Sequence, residues 1–224
     1  MMMNLFSIFD PSTSTYYSMN WISSIYCLMF LPNLYWFIPS RYNYLFIMLM
    51  NKLMNEFLNL LKIKINYMNI IMFISLFIYI MMNNFMGLFP YIYTSSSQMI
   101  FSLSYSLILW MMIMLYGWFM NSNHMFIHLV PQSTPNMLMP FMVLIESISN
   151  IIRPLTLAVR LSANMIAGHL LMTLISSTSN NLNFIMLSLM LLCQSMLIIL
   201  EISVSIIQAY VFSILSLLYS TEVN

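Results

Sequence analysis

Charged side chains are scarce in this chain of 224 residues. It holds 6 Lys and Arg and 5 Asp and Glu, or 5% of the chain, whereas soluble domains carry about 25%. Mean hydropathy is +0.90, and 62% of the residues are hydrophobic. Because so few polar side chains cannot cover a water-exposed surface, the composition predicts an integral membrane protein. The net charge of +1 also excludes the clustered basic surface that binds nucleic acid.

Cysteine and clustered metal ligands are equally sparse. Cys27 and Cys193 lie far apart in separate apolar runs, so the sequence predicts neither a disulfide framework nor a metal site around them. His124 and His128 have a spacing that suits a metal, but a third ligand is missing nearby. The chain also lacks the G-x-x-x-x-G-K-[ST] run that binds nucleotide phosphates. We therefore expect no metal, no cofactor and no nucleotide site.

Glycine and alanine, the small residues that bring membrane helices together, are almost missing. The chain has three glycines and four alanines, whereas methionine alone accounts for 27 residues. The small residues are replaced by residues that AT-rich codons encode, namely Met, Ile, Phe, Tyr and Asn. Such a bias in a very apolar chain predicts an organelle-encoded mitochondrial protein. The first residues also lack the basic segment and cleavage site of a secretory signal peptide.

Long apolar runs, by contrast, are abundant. Spans are predicted over about 17–38, with a kink at Pro32, over 67–88 and over 97–120, because about 20 apolar residues cross a hydrocarbon core of about 30 Å. Residues 41–66 contain four of the six basic residues, together with apolar residues at helical spacing. This pattern predicts an amphipathic helix on the membrane surface.

Two further apolar stretches, 136–176 and 181–220, determine the predicted architecture. As single helices, each would be about 60 Å long, twice the hydrocarbon thickness. The alternative is four ordinary spans, broken at Pro154 and near Gln194. Charged residues lie inside both stretches rather than at these breaks, which favours a hairpin of two long, steeply tilted helices. We therefore predict an all-α integral membrane protein of one domain, with a loose connection over 121–135.

The distribution of basic residues predicts the orientation of the chain. Positively charged segments stay on the side of the membrane where synthesis takes place. This rule places 41–66, 121–135 and the C-terminus on the inner side. The N-terminus and the turns at 89–97 and 176–182 then lie on the outer side.

Ionisable side chains inside the apolar stretches are the candidate functional residues. A charge at the centre of a membrane helix costs about 2.5–3.5 kcal/mol on insertion scales, so it calls for a functional reason. The simpler interpretation is a structural ion pair between Glu146 and Arg153 with other polar contacts between helices, but in a membrane a proton or ion pathway is favoured. The ionisable candidates are Glu146, Arg153, Arg160, His169 and Glu201, and their polar companions are Asn164, Gln194 and Gln208.

Arg160 lies among small and polar side chains on one face of the predicted helix. The small neighbours allow another helix to come close to the guanidinium. His169 points to the opposite face, and on the last helix Gln194, Glu201 and Gln208 recur on one stripe. At about 100° per residue, the side chains within about 60° of Arg160 are Glu146, Ser149, Arg153, Thr156, Ala163, Asn164 and Ala167.

The run LAVRLSANMIAGHLL over 157–171 closely resembles the signature of subunit a of F-type ATP synthases, in its mitochondrial form. The likeness extends over about 67–222, while the first 66 residues agree in pattern only. Ser133 stands where the family has glycine, and Arg153 lies outside the motif. Other matching runs are GLFP at 87–90, PQSTP at 131–135, IESIS at 145–149, LEI at 200–202 and QAYVF at 208–212.

The resemblance implies a non-catalytic stator subunit that forms two offset proton half-channels against a rotating ring of c subunits. The implied partners are this ring, other stator subunits of the ATP synthase, the lipid bilayer and the transported protons. The resemblance further implies that proton flow through the half-channels is coupled to ATP synthesis.

The resemblance also implies a role for each candidate residue. Arg160 would face the ring, and His169 and Glu201 would line the half-channel that opens to the intermembrane space. Glu146 and Glu222 would line the half-channel that opens to the matrix, which agrees with the predicted orientation. The remaining matches, polar residues near the arginine, are Asn164 and Gln208.

Other classes of membrane protein fit the sequence less well. A proton-pumping subunit of a respiratory dehydrogenase would need buried lysines, but none follows Lys64. A secondary solute carrier would have an inverted repeat with Gly- or Pro-interrupted spans in matching positions, and none is visible. A purely structural subunit would not need Arg160 and Glu201 in its apolar stretches.

Overall fold

The structure is a computed structural model, and it describes residues 5–61, 67–130, 135, 137–178 and 183–223. Within these residues all regular structure is helical, and four helices are long and apolar enough to cross a membrane. This confirms the predicted all-α membrane fold. The α-helices are α1 Ser23–Tyr26, α2 Arg41–Leu60, α3 Tyr67–Gly87, α4 Met99–Met120, α5 Ser122–Leu129, α6 Met139–Thr178 and α7 Phe184–Val223.

The first predicted span, over 17–38, is corrected to a shorter apolar segment. Helical turns cover Met19–Phe30 only, with α1 between two 3-10 turns. Twelve residues rise about 18–24 Å, which is less than the hydrocarbon core of about 30 Å. The segment ends because Leu31 is extended (φ −71°, ψ 129°), the conformation that a following proline imposes.

Helix α2 covers most of the predicted surface helix over 41–66, of which 62–66 lie outside the described residues. The Ser40 side chain caps its start by accepting a hydrogen bond from the Asn43 N–H at 3.3 Å. Phe57, which is fully buried, packs in one cluster with Ile70 of α3 and Leu217 of α7. The opposite side of α2 exposes large apolar residues: Tyr44, Leu45, Met48 and Leu49.

Helices α6 and α7 are each 40 residues long and continuous through Pro154 and Gln194. The structure therefore has two helices of about 60 Å instead of four shorter spans. The bounds of α3, α4, α6 and α7 agree with the predicted stretches within three residues.

The predicted loose connection over 121–135 contains an additional short helix, α5. Its Phe126 ring packs edge-on against Trp118 of α4, with 5.0 Å between ring centroids. This aromatic contact supplies apolar burial that a loop would lack. The PQSTP run lies outside the described residues except for Pro135.

The central core joins the two long helices to α3 and α4. Leu157 and Leu161 of α6 pack in one buried cluster with Ala209 and Phe212 of α7. Serines fill the close contacts around this core, and each donates its hydroxyl to a carbonyl of its own helix. The buried serines of the long helices are Ser162, Ser205, Ser213, Ser216 and Ser220.

Candidate functional site

The antiparallel packing of α6 and α7 brings the candidate residues together at two separate levels. At one level, Arg153 of α6 contacts Glu222 of α7. At the other level, Gly168 of α6 faces Glu201 of α7. Fifteen residues of α6 separate Arg153 from Gly168, which corresponds to about 22 Å along the helix axis. The hairpin therefore holds two polar sites, one towards each end of the membrane sector.

The first site surrounds His169 and Glu201, which both line one cavity of about 200 Å³. Nε2 of His169 and Oε1 of Glu201 are buried and have no hydrogen-bond partner among the described residues. Buried polar atoms normally bond to protein or to ordered water. Their lack of protein partners, in a cavity with room for water, makes this site suitable for proton transfer. Other lining residues include Asn164, Ala167, Gly168 and Val204.

Position 168 requires glycine because the Glu201 side chain lies directly against it. A Cβ atom at this position would lie 2.7 Å from Oε1 and 3.0 Å from Cδ of Glu201. Any other residue would therefore displace the carboxyl group. One of the three glycines in the chain is thus retained where the Glu201 side chain requires the space.

The second site is a charge cluster around Arg153. Its Nη1 donates to Oε2 of Glu222 at 2.8 Å, and its Nη2 donates to Oε1 of Glu146 at 3.5 Å. The guanidinium carbon also lies 5.3 Å from the centre of the Tyr219 ring. A cavity of about 250 Å³ adjoins the cluster, and Asn150 also lines it. The predicted pair of Glu146 and Arg153 is therefore present, with Glu222 as a second carboxylate.

Arg160 lies between the two sites on an exposed face of α6. It is about 21 Å along the axis from Glu146 and about 14 Å from His169. Its side chain makes no hydrogen bond or ion pair with the described residues. Ala163 and Ala167 are exposed as well. Arg160 and Ala163 therefore lie on a face that α7 does not cover, whereas Ala167 borders the cavity that α7 helps to line.

The polar companions fall at different places. Asn164, one turn after Arg160, lines the cavity of His169 and Glu201. Gln208 is half-buried next to Ala209, whose cluster includes Leu161, so it lies at about the level of Arg160.

Sequence reasoning missed the contacts of Arg153 with Glu222 and Tyr219. Both partners come from the far end of α7, and no local spacing indicates them. A helical wheel does place Arg153 beside Glu146, seven residues earlier.

Metal ligands are not grouped in the described part of the chain, where no three His, Cys, Asp or Glu side chains lie together. The side chain of His128 lies outside the described residues. The absence of a metal or cofactor stays a prediction.

A family model for the ATP synthase A chain matches residues 2–221. The chain belongs to the ATP synthase A chain family. Relatives named ATP synthase subunit a are 54% identical over 224 residues in Drosophila melanogaster, 54% identical over 224 residues in Locusta migratoria and 53% identical over 226 residues in Aedes aegypti. Each alignment covers 100% of both chains.

Membership of the ATP synthase A chain family confirms the resemblance that the motifs indicated. A subunit of a respiratory dehydrogenase is not favoured. The chain is a multi-pass membrane protein that works with other ATP synthase subunits.

Proposed function

We propose that this chain is the proton-translocating stator subunit of an ATP synthase in the mitochondrial inner membrane. It forms two offset half-channels against a rotating ring of c subunits and catalyses no covalent reaction of its own. One observation carries the proposal: the hairpin of α6 and α7 contributes ionisable side chains to two separate cavities, and the uncovered Arg160 lies between them.

Protons enter through the cavity of His169 and Glu201. The two atoms without protein partners, Nε2 of His169 and Oε1 of Glu201, accept and pass on protons from water in the cavity. Asn164 lines the same cavity one turn from Arg160, so it lies on the way to the exposed face. A proton leaving this cavity therefore reaches the face against which the ring turns.

The ring carries each proton because a carboxyl group must be neutral to face lipid. A bare carboxylate in hydrocarbon is costly, whereas a protonated one is much less so. A carboxylate of the ring that receives a proton beside Arg160 can therefore move into the bilayer. After nearly a full turn it reaches the other cavity and releases its proton towards Glu146 and Glu222.

Arg160 separates the two pathways. Guanidinium does not lose its proton at any ordinary pH, so it cannot relay protons from one cavity to the other. Its positive charge instead stabilises a passing carboxylate in the ionised form. Each proton that crosses 100 mV in this way supplies about 2.3 kcal/mol for coupled synthesis.

Labelling of single cysteines from each side of the membrane tests the two half-channels. Val204→Cys lies in the cavity of Glu201, and Asn150→Cys lies in the cavity of Arg153. The exposed native Cys193 is first replaced by Ser. With a membrane-impermeant thiol reagent, we expect Val204→Cys to react from the outer side only and Asn150→Cys from the matrix side only.

A cysteine on the lipid-facing side provides the matched control. Leu155 is 53% exposed and lines neither cavity. Leu155→Cys should react slowly from both sides, because a thiol in lipid does not ionise to the reactive thiolate. Equal reaction of Val204→Cys and Asn150→Cys from both sides would overturn the assignment.

A further inference from the structure

Arg153 has no part in the proton transfers proposed above, although it is the most densely paired charge among the described residues. It contacts Glu222 at 2.8 Å and Glu146 at 3.5 Å, and it lies 5.3 Å from the Tyr219 ring. Its side chain is 31% exposed, so the pairs are only partly screened by solvent. Both carboxylates of the proposed matrix half-channel thus share one guanidinium.

The charge of the cluster follows from its members. One guanidinium and two ionised carboxylates give a net charge of −1, and one bound proton makes the cluster neutral. Without Arg153, the net charge of the same two carboxylates would alternate between −2 and −1. The two unpaired negative charges would repel each other, with solvent screening part of the repulsion because the Glu222 side chain is 56% exposed.

The described residues that line the cavity add no further charged group to this count. Tyr219 of α7 is the one further titratable side chain among its described lining residues. Helices α4 and α5 contribute apolar residues, and His124 of α5 does not line the cavity.

We propose that Arg153 is a positioning residue of the matrix half-channel, which holds Glu146 of α6 and Glu222 of α7 around one guanidinium so that they take up one proton at a time. The inference rests on the proposed function. In the transfer, the O–H bond of a ring carboxyl breaks and an O–H bond forms at a carboxylate oxygen of the pair. The proton then leaves to matrix water, and the ring carboxylate stays ionised.

Arginine suits this role better than lysine. Its planar fork directs Nη1 to one carboxylate and Nη2 to the other. The Tyr219 ring beneath the guanidinium restricts its orientation through a cation–π contact. A lysine would retain the charge but offer a single ammonium to two partners on different helices.

A set of charge variants tests the proposal in membrane vesicles that contain the assembled complex. The variants are R153Q, E222Q, R153Q/E222Q and R153K, and the measurement is ATP-driven proton pumping per assembled complex. R153Q and E222Q should each slow pumping by on the order of tenfold, since they change the cluster charge by one unit in opposite directions. R153Q/E222Q restores the native charge of the cluster and should recover part of the pumping that R153Q loses, although it lacks one of the two carboxylates. R153K should fall between R153Q and the native chain.

The dependence of pumping on matrix pH separates charge control from a structural role. During ATP-driven pumping the cluster takes up protons from the matrix side, and with two unpaired carboxylates R153Q should bind them at higher pH, so its pH profile of pumping moves in the alkaline direction. E222Q should move the pH profile of pumping in the acidic direction, and R153Q/E222Q should return the profile to its native position. A merely structural role of Arg153 would lower the rate without moving the profile.

Two results overturn the inference: native pumping by R153Q, or a double variant that pumps no better than R153Q. The variant E146Q distinguishes a wrong inference about Arg153 from a wrong proposed function, because Glu146 belongs to the half-channel itself. If E146Q lowers pumping about a hundredfold while R153Q pumps at the native rate, only the inference about Arg153 is wrong. Native pumping by E146Q would overturn the matrix half-channel and, with it, the role of Arg153.

Discussion

The two arginines of α6 occupy opposite environments although they lie seven residues apart. Arg153 is paired with two carboxylates from within the chain. Arg160 is exposed and has no charged partner among the described residues. An unpaired charge in a membrane helix is costly. The proposed position against the ring would give Arg160 a carboxylate partner from another molecule.

Arg160→Lys should abolish coupled proton pumping although the positive charge is kept. Lysine loses its proton more readily in an apolar environment and lacks the planar fork of arginine. We expect pumping to fall by about a hundredfold, as when one preorganised electrostatic group is removed from an active site. ATP-driven acidification of vesicles measures the loss.

The same substitution at Arg41, the exposed first residue of α2, is a matched control and should leave pumping unchanged. Arg160→Ala should in addition allow passive leak of protons across the membrane. Native pumping by Arg160→Lys vesicles would contradict the proposed role of the guanidinium.

Local sequence could predict which residues carry the chemistry but not all of their partners. The pair of Glu146 and Arg153 follows from helical spacing within α6. The contact between Arg153 and Glu222 spans 69 residues and depends on the register of the two long helices. A hairpin symmetric about the predicted turn at 176–182 would place Arg153 near Ser205 instead. The offset between α6 and α7 is set by tertiary packing, so spacing alone does not reveal it.

At the scale of the helices, serine replaces the missing glycine and alanine at close contacts. Ser162 and Ser213 are almost fully buried, and Oγ of Ser213 donates to the Tyr210 carbonyl at 2.9 Å. A hydroxyl that bonds to its own helix needs no partner elsewhere. Serine therefore serves as a small residue at these contacts, as small residues generally do between membrane helices.

Neighbouring residues of α6 test which of its faces packs inside the chain. Ser162 is buried, whereas Ala163 is exposed beside Arg160. Ser162→Leu should overpack the core, destabilise the chain by about 1–3 kcal/mol and reduce its abundance. Ala163→Leu should leave abundance unchanged and instead hold the ring away from Arg160, so that assembled complexes lose pumping. Quantifying the chain in membranes and pumping per complex measures both effects.

The reverse pattern of effects would contradict the exposed position of Ala163 on α6. If Ala163→Leu lowered abundance while the assembled complexes pumped normally, Ala163 would pack within the chain.

The helices that the sequence predicted best are the long apolar ones. Their length and hydropathy define α3, α4, α6 and α7 within three residues. Helix α5 was missed because eight residues with several polar side chains have no clear apolar period. Its stability comes from packing of Phe126 on α4, which only the tertiary structure reveals.

For the molecule as a whole, much of its apolar surface is turned outward. Large apolar residues are exposed along the first half of α7, among them Leu191, Leu192, Met196 and Ile199. Lipid can cover such residues without cost, because the hydrocarbon is as apolar as they are. The exposed guanidinium of Arg160 differs, since lipid cannot solvate it.

This difference bears on the fate of newly made chains. In the proposed complex the ring covers Arg160, so before assembly the arginine contacts hydrocarbon at a cost of about 2.5–3.5 kcal/mol on insertion scales. The unassembled chain is thus the less stable form, and membrane proteases act on locally opened chains. In pulse-chase labelling, depletion of the ring subunit should shorten the half-life of the chain. Arg160→Leu, which removes the unsolvated charge, should lengthen it again, so an inactive variant would outlive the functional chain whenever the ring is in short supply.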